Sequence, residues 1–257
     1  KDFPAKAGAK LALYVTSTSM PLVLHQTLQE QDLVDGILTL SCIYVTTDVH
    51  EAWCCARGME SSQNALEGVT ELDGFTGIAC LDYLPESLQK MSFGEWFNED
   101  LQHVSWPSNL QSMTFGACFN QSLEKVKLPA SLRSLSFGRN FNQSLQNTTL
   151  PSHLSSLTFG RNFNQSLEDV IWPEGLERLS FGLSFNQSLN KVRFPRHLQC
   201  LTFGQNFNQN LEEVIWPSNL QNLRFGETFN QTLENVALPS NLQALTSGHA
   251  FNQSLEN

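Results

Sequence analysis

Seven asparagines stand in the N-x-S/T arrangement that accepts an N-linked glycan: Asn120, Asn142, Asn147, Asn164, Asn186, Asn230 and Asn252. That chemistry needs an exposed side-chain amide on a loop. Six of the seven follow a phenylalanine and precede Gln and then Ser or Thr, and this string returns every 22 residues; Asn147 alone lies outside it. The Phe-Asn pair is present in eight units, so the asparagines form the series Asn98, Asn120, Asn142, Asn164, Asn186, Asn208, Asn230 and Asn252. A freely varying surface position would not stay asparagine throughout such a series. The recurrence therefore points to a side-chain ladder that satisfies backbone groups left unpaired by tight turns. Gln121 through Gln253, with Glu99 in the first unit, form a second rank beside it. If the amides face inward, no glycan can be attached to them.

Other candidate chemistry is thinner. Glu168, Asp169, Glu212 and Glu213 cluster in units two repeats apart, roughly 10 Å at the spacing of stacked strands. That could serve acid–base work, but a chance solvated face is the stronger explanation. The six histidines, at 25, 50, 103, 153, 197 and 249, share no repeat slot. Cys42, Cys54, Cys55, Cys80, Cys118 and Cys200 form no C-x-x-C pair, which argues against zinc and for free thiols in a reducing, intracellular compartment. The phosphate-binding G-x-x-x-x-G-K-[ST], the H-E-x-x-H helix and the G-x-S-x-G elbow are absent. We expect no catalytic, cofactor-binding or metal-ligating residue, and hence no enzyme.

The elements that must position these residues follow from the period. Aligned on proline (Pro85, Pro107 and onward to Pro239), the unit reads L-P-x-x-L-x-x-L-x-F-G-x-x-F-N-Q-S-L-x-x-V-x. Leu135 with Phe137, and Leu157 with Phe159, are two apart, the period of a strand buried on one face. Glycine follows at once (Gly138, Gly160), which suits a sharp exit through a permissive backbone. A second extended stretch is expected at Val170–Trp172 and Val214–Trp216, ahead of proline. No segment has room for a full helix, so the remaining side of each coil should be turns. The expected fold is a β-rich solenoid: stacked 22-residue coils with one parallel sheet face, preceded by a small α+β cap.

The repeats place a boundary near residue 80. Residues 81–257 hold eight units; residues 1–80 hold strand-like segments at Lys10–Thr16 and Ile37–Val45 and a polar stretch, Ser61–Gly77, read as a loop. As a cap, the head would pack Trp53, Cys54, Cys55 and Ala56 against Tyr83 and Leu84. The chain carries 15 basic and 25 acidic residues, for a net charge of −10, and neither part has the basic excess of a nucleic-acid binder. No apolar run reaches the ~20 residues of a membrane span. Because the chain starts without Met and stops inside a repeat, without a capping unit, we expect a segment of a longer protein.

The L-P-x-S-L-x-x-L-x-F-G-x-x-F-N-Q-S-L unit resembles the FNIP-type leucine-rich repeat, named for Phe-Asn-Ile-Pro and found in tandem arrays of protist and giant-virus proteins. The resemblance covers residues 81–257; the departure is Gln-Ser or Gln-Thr in place of Ile-Pro. The N-Q-S-L variant also looks like expanded arrays of dinoflagellate proteins. It implies a leucine-rich-repeat-like solenoid with a scaffold or recognition role and supplies no catalytic residues. Thr27–Leu40 resembles the last stretch of a ubiquitin-like fold, which would make residues 1–80 a remnant of such a domain.

Function is then sought where the repeat varies. One outward strand column carries Thr114, Ser136, Thr158 and Arg224, and its neighbour Ser112, Ser134, Ser156 and Arg178. This hydroxyl-rich, weakly charged strip is the candidate binding face for a protein partner in an interaction or assembly scaffold. The alternatives are a hydroxyl array for ice or carbohydrate, and an accessory segment of a larger enzyme. Ile171 and Ile215, expected to point outward two coils apart, are candidate apolar anchors.

Overall fold

The computed structural model describes residues 10–13, 33–34, 37–40, 70–75, 81 and 84–254. Alternating Leu-x-Phe segments bury one face, and each builds one strand per coil. The strands are β5 (Lys90–Phe93), β6 (Ser112–Thr114), β7 (Ser134–Ser136), β8 (Ser156–Thr158), β9 (Arg178–Ser180), β10 (Cys200–Thr202), β11 (Asn222–Arg224) and β12 (Ala244–Thr246). They pair in parallel and in unbroken register; Leu135 lies opposite Leu157, and Leu157 opposite Leu179. The result is a parallel β-solenoid of stacked coils with no α-helix among the described residues.

The sheet continues beyond the repeats. Strand β4 (Glu71–Phe75) pairs in parallel with β5 and with β1 (Lys10–Leu13). Strand β1 in turn pairs with β3 (Ile37–Leu40), whose other neighbour is the short antiparallel β2 (Leu33–Val34). Some of the segment 61–77, read as a loop, is thus a strand. Its disguise is one inserted residue. Leu72 pairs with Met91 and Phe75 with Phe93, so the repeat's L-x-F has become L-x-x-F, and a bulge absorbs the extra residue. Gly74 sits in that bulge at φ 71°, where a side chain would be strained. The expected packing of Trp53, Cys54, Cys55 and Ala56, and most of Thr27–Leu40, lie outside the described residues.

The rest of each coil consists of turns. Leu132 N–H donates to the Pro129 carbonyl at 3.1 Å and Val126 N–H to the Leu123 carbonyl at 3.1 Å; the same pair of bonds recurs in the next coils. Val170–Trp172 joins no strand ladder, because its side of the coil is occupied by these turns.

Two phenylalanine columns fill the interior. Phe137 and Phe141 stack within one coil at 3.8 Å between ring centroids, and Phe141 stacks on Phe163 of the next at 6.2 Å. Phe119 through Phe229 of that second column are fully buried. Each coil therefore presents an apolar floor to the next, and burial rather than helix or strand propensity holds the stack.

The glycine after each strand has a different cause from the one expected. None of the repeat glycines adopts positive φ. Instead, a Cβ on Gly160 would lie 1.8 Å from the Gly138 carbonyl oxygen, and one on Gly204 1.7 Å from that of Gly182. Backbones touch here, and only hydrogen fits between them.

Candidate functional site

The repeated string F-N-Q-S is structural at every position. Asn120 Oδ1 accepts the backbone N–H of Asn142 at 2.9 Å, Asn142 Oδ1 that of Asn164 at 2.9 Å, and Asn164 Oδ1 that of Asn186 at 2.9 Å. The chain of bonds runs unbroken from Asn98 to Asn252 through Asn208 and Asn230. From Gln143 onward the glutamine amide adds a second donor to the same oxygen, Gln143 to Asn120 at 3.1 Å and Gln187 to Asn164 at 3.0 Å, whereas Gln121 donates to the Asn98 backbone carbonyl at 2.9 Å. The third residue caps the following turn. Ser122 Oγ accepts the Glu124 N–H at 3.2 Å and Ser166 Oγ the Glu168 N–H at 3.2 Å. Where the serine is replaced, the bond remains: Asn210 Oδ1 accepts the Glu212 N–H at 2.8 Å and Asp100 Oδ1 the Gln102 N–H at 2.9 Å. The glycan-acceptor pattern is thus three structural tasks placed in sequence: accepting a backbone N–H, tying the ladder and capping a turn. Asn147, outside the ladder, is exposed and donates through Nδ2 to Glu124 at 3.3 Å.

The outward strand residues form two columns held at the strand spacing of ~4.8 Å. Ser112, Ser134 and Ser156 stand in register in one, Thr114, Ser136 and Thr158 in the other. Arg178 follows Ser156 in the first column, and Arg224 follows Thr202 in the second, so the two guanidinium groups sit two strands apart on opposite columns. Arg178 pairs weakly with Glu177 at 3.8 Å. Arg224 has no ion pair among the described residues. At the other end of the face, Lys90 bonds Glu71 at 2.7 Å, and Ser92 donates to Asp73. The face is therefore tied by charge at one end and leaves a hydroxyl field and two cations over the coils beyond it.

Ile171 and Ile215 are 78% and 75% exposed. They do not make one patch, because Arg193 holds the same slot in the coil between them and is exposed too. Behind them Trp172 and Trp216 are buried with indole N–H groups that find no partner. Glu168 is taken by Lys191 at 2.9 Å, a contact that lifts the Lys191 ammonium above its ordinary 10.5, and Glu213 accepts from Asn190 at 3.1 Å. His103, His153 and His197 are exposed. Among the described residues no three metal-ligating side chains converge. No helix of the described residues is long and apolar enough to cross a membrane.

A surface that sequence reasoning missed lies on the loop ridge after the strands. Glu95, Trp96, Ala117, Cys118, Arg139, Asn140, Arg161 and Asn162 line an open cleft of about 500 Å³. The only signal was that these two slots after glycine vary strongly from unit to unit.

Stacked coils, one parallel strand each, a turn-built remainder and an asparagine ladder together define a leucine-rich-repeat type β-solenoid. Comparison with family models is specific: the FNIP Repeat model matches residues 119–162, 163–206 and 207–247, together half of the chain. The chain belongs to the FNIP repeat family. Among solved structures it is similar to CroV588, described as a novel circular LRR protein, with 41% identity, TM-score 0.67 and 74% of this chain covered. The chain spans about 29% of that protein's length. An internalin (inlF) from Listeria monocytogenes str. 4b F2365 matches at 16% identity and TM-score 0.40, over 72% of this chain and 69% of that one. No curated protein matches the chain.

Proposed function

We propose that this chain is a non-catalytic protein-interaction or assembly module that binds through the outward face of its parallel sheet. The observation that carries this reading is the contrast between slots. Phe, Asn, Gly and Pro repeat because the coil needs them, whereas Ser156, Arg178, Cys200 and Asn222 succeed one another in a single column of the face. A rigid sheet that displays non-repeating side chains at fixed spacing is the surface on which solenoids recognise partners. Support also comes from the family, whose repeats are of the type commonly used for protein interaction. The acidic net charge, −10, makes nucleic acid a poor partner.

The test is a paired substitution on the face, Ser134→Arg with Ser156→Arg, against Ala130→Arg with Ser152→Arg, exposed positions of the turns after proline, as a control. Capture of a partner from the source organism should fail with the first pair and persist with the second. Equal capture by both would refute binding through this face. The unbroken hydroxyl grid of β6 to β8 favours one second reading, a carbohydrate or ice surface. Binding to a glycan array or shaping of ice crystals by the wild-type chain, abolished by the same arginines, would replace the first reading with that one.

A further inference from the structure

The loop ridge presents a second surface, separate from the sheet face. Trp96 is 77% exposed, the largest exposed aromatic among the described residues. Along the ridge from it come the small side chains of Ala117 and Cys118, then Arg139 with Asn140, then Arg161 with Asn162, all lining one cleft. Neither arginine has an ion pair among the described residues. The floor is rigid. Cys118 N–H donates to the Glu95 carbonyl at 2.8 Å, Asn140 N–H to that of Ala117 at 2.8 Å, and Asn162 N–H to that of Arg139 at 2.9 Å. Asn162 Nδ2 donates to Asn140 Oδ1 at 3.1 Å, which fixes both amides.

We propose that this cleft docks an extended peptide segment that carries an apolar side chain at one end and adjacent acidic side chains at the other. Spacing supports the match. Arg139 and Arg161 stand two and three coils from Trp96, roughly 10 and 15 Å, and an extended chain advances ~3.3 Å per residue. An apolar residue on Trp96 thus places the acidic residue four positions onward, ~13 Å away on the same face of the extended segment, between the two guanidinium groups, and the acidic residue before it adds its charge from the other face. Tryptophan and arginine are the side chains that dominate binding energy in interfaces. Glu95 sets direction and excludes a rival. Glu95 lines the cleft beside Trp96, so its negative charge opposes a uniformly anionic polymer, such as a sulfated glycan, and tolerates a segment charged only at the arginine end. Beyond Arg161 the same slot holds Leu183, Gln205, Glu227 and His249, so two successive arginines occur once along the ridge of the described coils.

The experiment uses the full chain and fluorescence anisotropy with labelled pentapeptides Leu-Gly-Ser-Glu-Glu and Leu-Gly-Ser-Lys-Lys, and with a labelled sulfated hexasaccharide. The acidic peptide should bind at least about tenfold more tightly than the basic one. Arg139→Gln with Arg161→Gln should erase about tenfold of that affinity, and Trp96→Ala several-fold, with unchanged melting because these side chains are exposed. Ser134→Arg with Ser156→Arg, which tests the sheet face, should leave peptide binding intact, so failure of one surface does not imply failure of the other. Equal affinity for the two peptides, no binding of the acidic peptide at ~1 mM, or wild-type affinity in the double arginine variant would overturn the proposal. Tighter binding of the hexasaccharide than of the acidic peptide would overturn it too.

Discussion

Asn142 Oδ1 receives two hydrogen bonds from the next coil, the Asn164 N–H at 2.9 Å and the Gln165 amide at 3.1 Å. One side-chain atom thus satisfies a backbone donor and a side-chain donor that no strand can reach. Asn142→Ala leaves both without an acceptor in a half-buried place, and should lower stability by about 2 kcal/mol in urea denaturation. Asn142→Asp, which keeps an acceptor oxygen, should recover most of it. Equal losses for Ala and Asp would show that the acceptor is not what matters.

Gly160 and Gly175 separate packing from conformation. A Cβ at Gly160 would overlap the Gly138 carbonyl, whereas at Gly175 the nearest atom is the Ser152 oxygen at 3.3 Å. Gly160→Ala should therefore push neighbouring coils apart and cost about 3 kcal/mol or more, while Gly175→Ala stays within roughly 0.5 kcal/mol of the parent. Thermal melts of the two single variants decide it.

Thr148 interrupts the valine slot held by Val126 and Val170, is 4% exposed, and its hydroxyl has no partner. Thr148→Val keeps the shape and removes the unbonded hydroxyl. The expected outcome is a gain of about 1 kcal/mol, read as a higher denaturation midpoint. A loss of stability would mean that the hydroxyl is bonded in solution.

Routing the chain through a secretory pathway tests the ladder in another way. Asn147 is exposed, whereas Asn142 and Asn164 are half-buried and their amides are held in the ladder through Oδ1. Peptide mapping of the secreted, folded material should find glycan at Asn147 and none at the two ladder positions. Folded protein modified at Asn142 would contradict the inward ladder.

Periodicity carries most of the fold. Leu135 and Phe137 announce a strand, and the recurring asparagines announce a bonded column, because both obey rules that act within one unit. What stays hidden depends on relations between units. A one-coil view of the repeat glycine shows a turn and suggests backbone freedom, but it hides the carbonyl of Gly138 pressed against Gly160. Strand β4 is masked by the bulge at Gly74, which shifts its spacing by one residue. Ile171 and Ile215 look like a pair in the sequence, yet the stack places Arg193 between them. The Trp96 cleft is illegible for a related reason: Arg139 and Arg161 lie 43 and 65 residues beyond Trp96 and join it only because each coil adds one step along the ridge.

Because each coil grips its neighbour through the same set of bonds, the rod is a chain of equal links in series. Pulled from its two ends, it should yield link by link. Each release would free 22 residues, on the order of 70 Å of slack. Such a molecule would extend in uniform steps while the coils still closed keep their contacts.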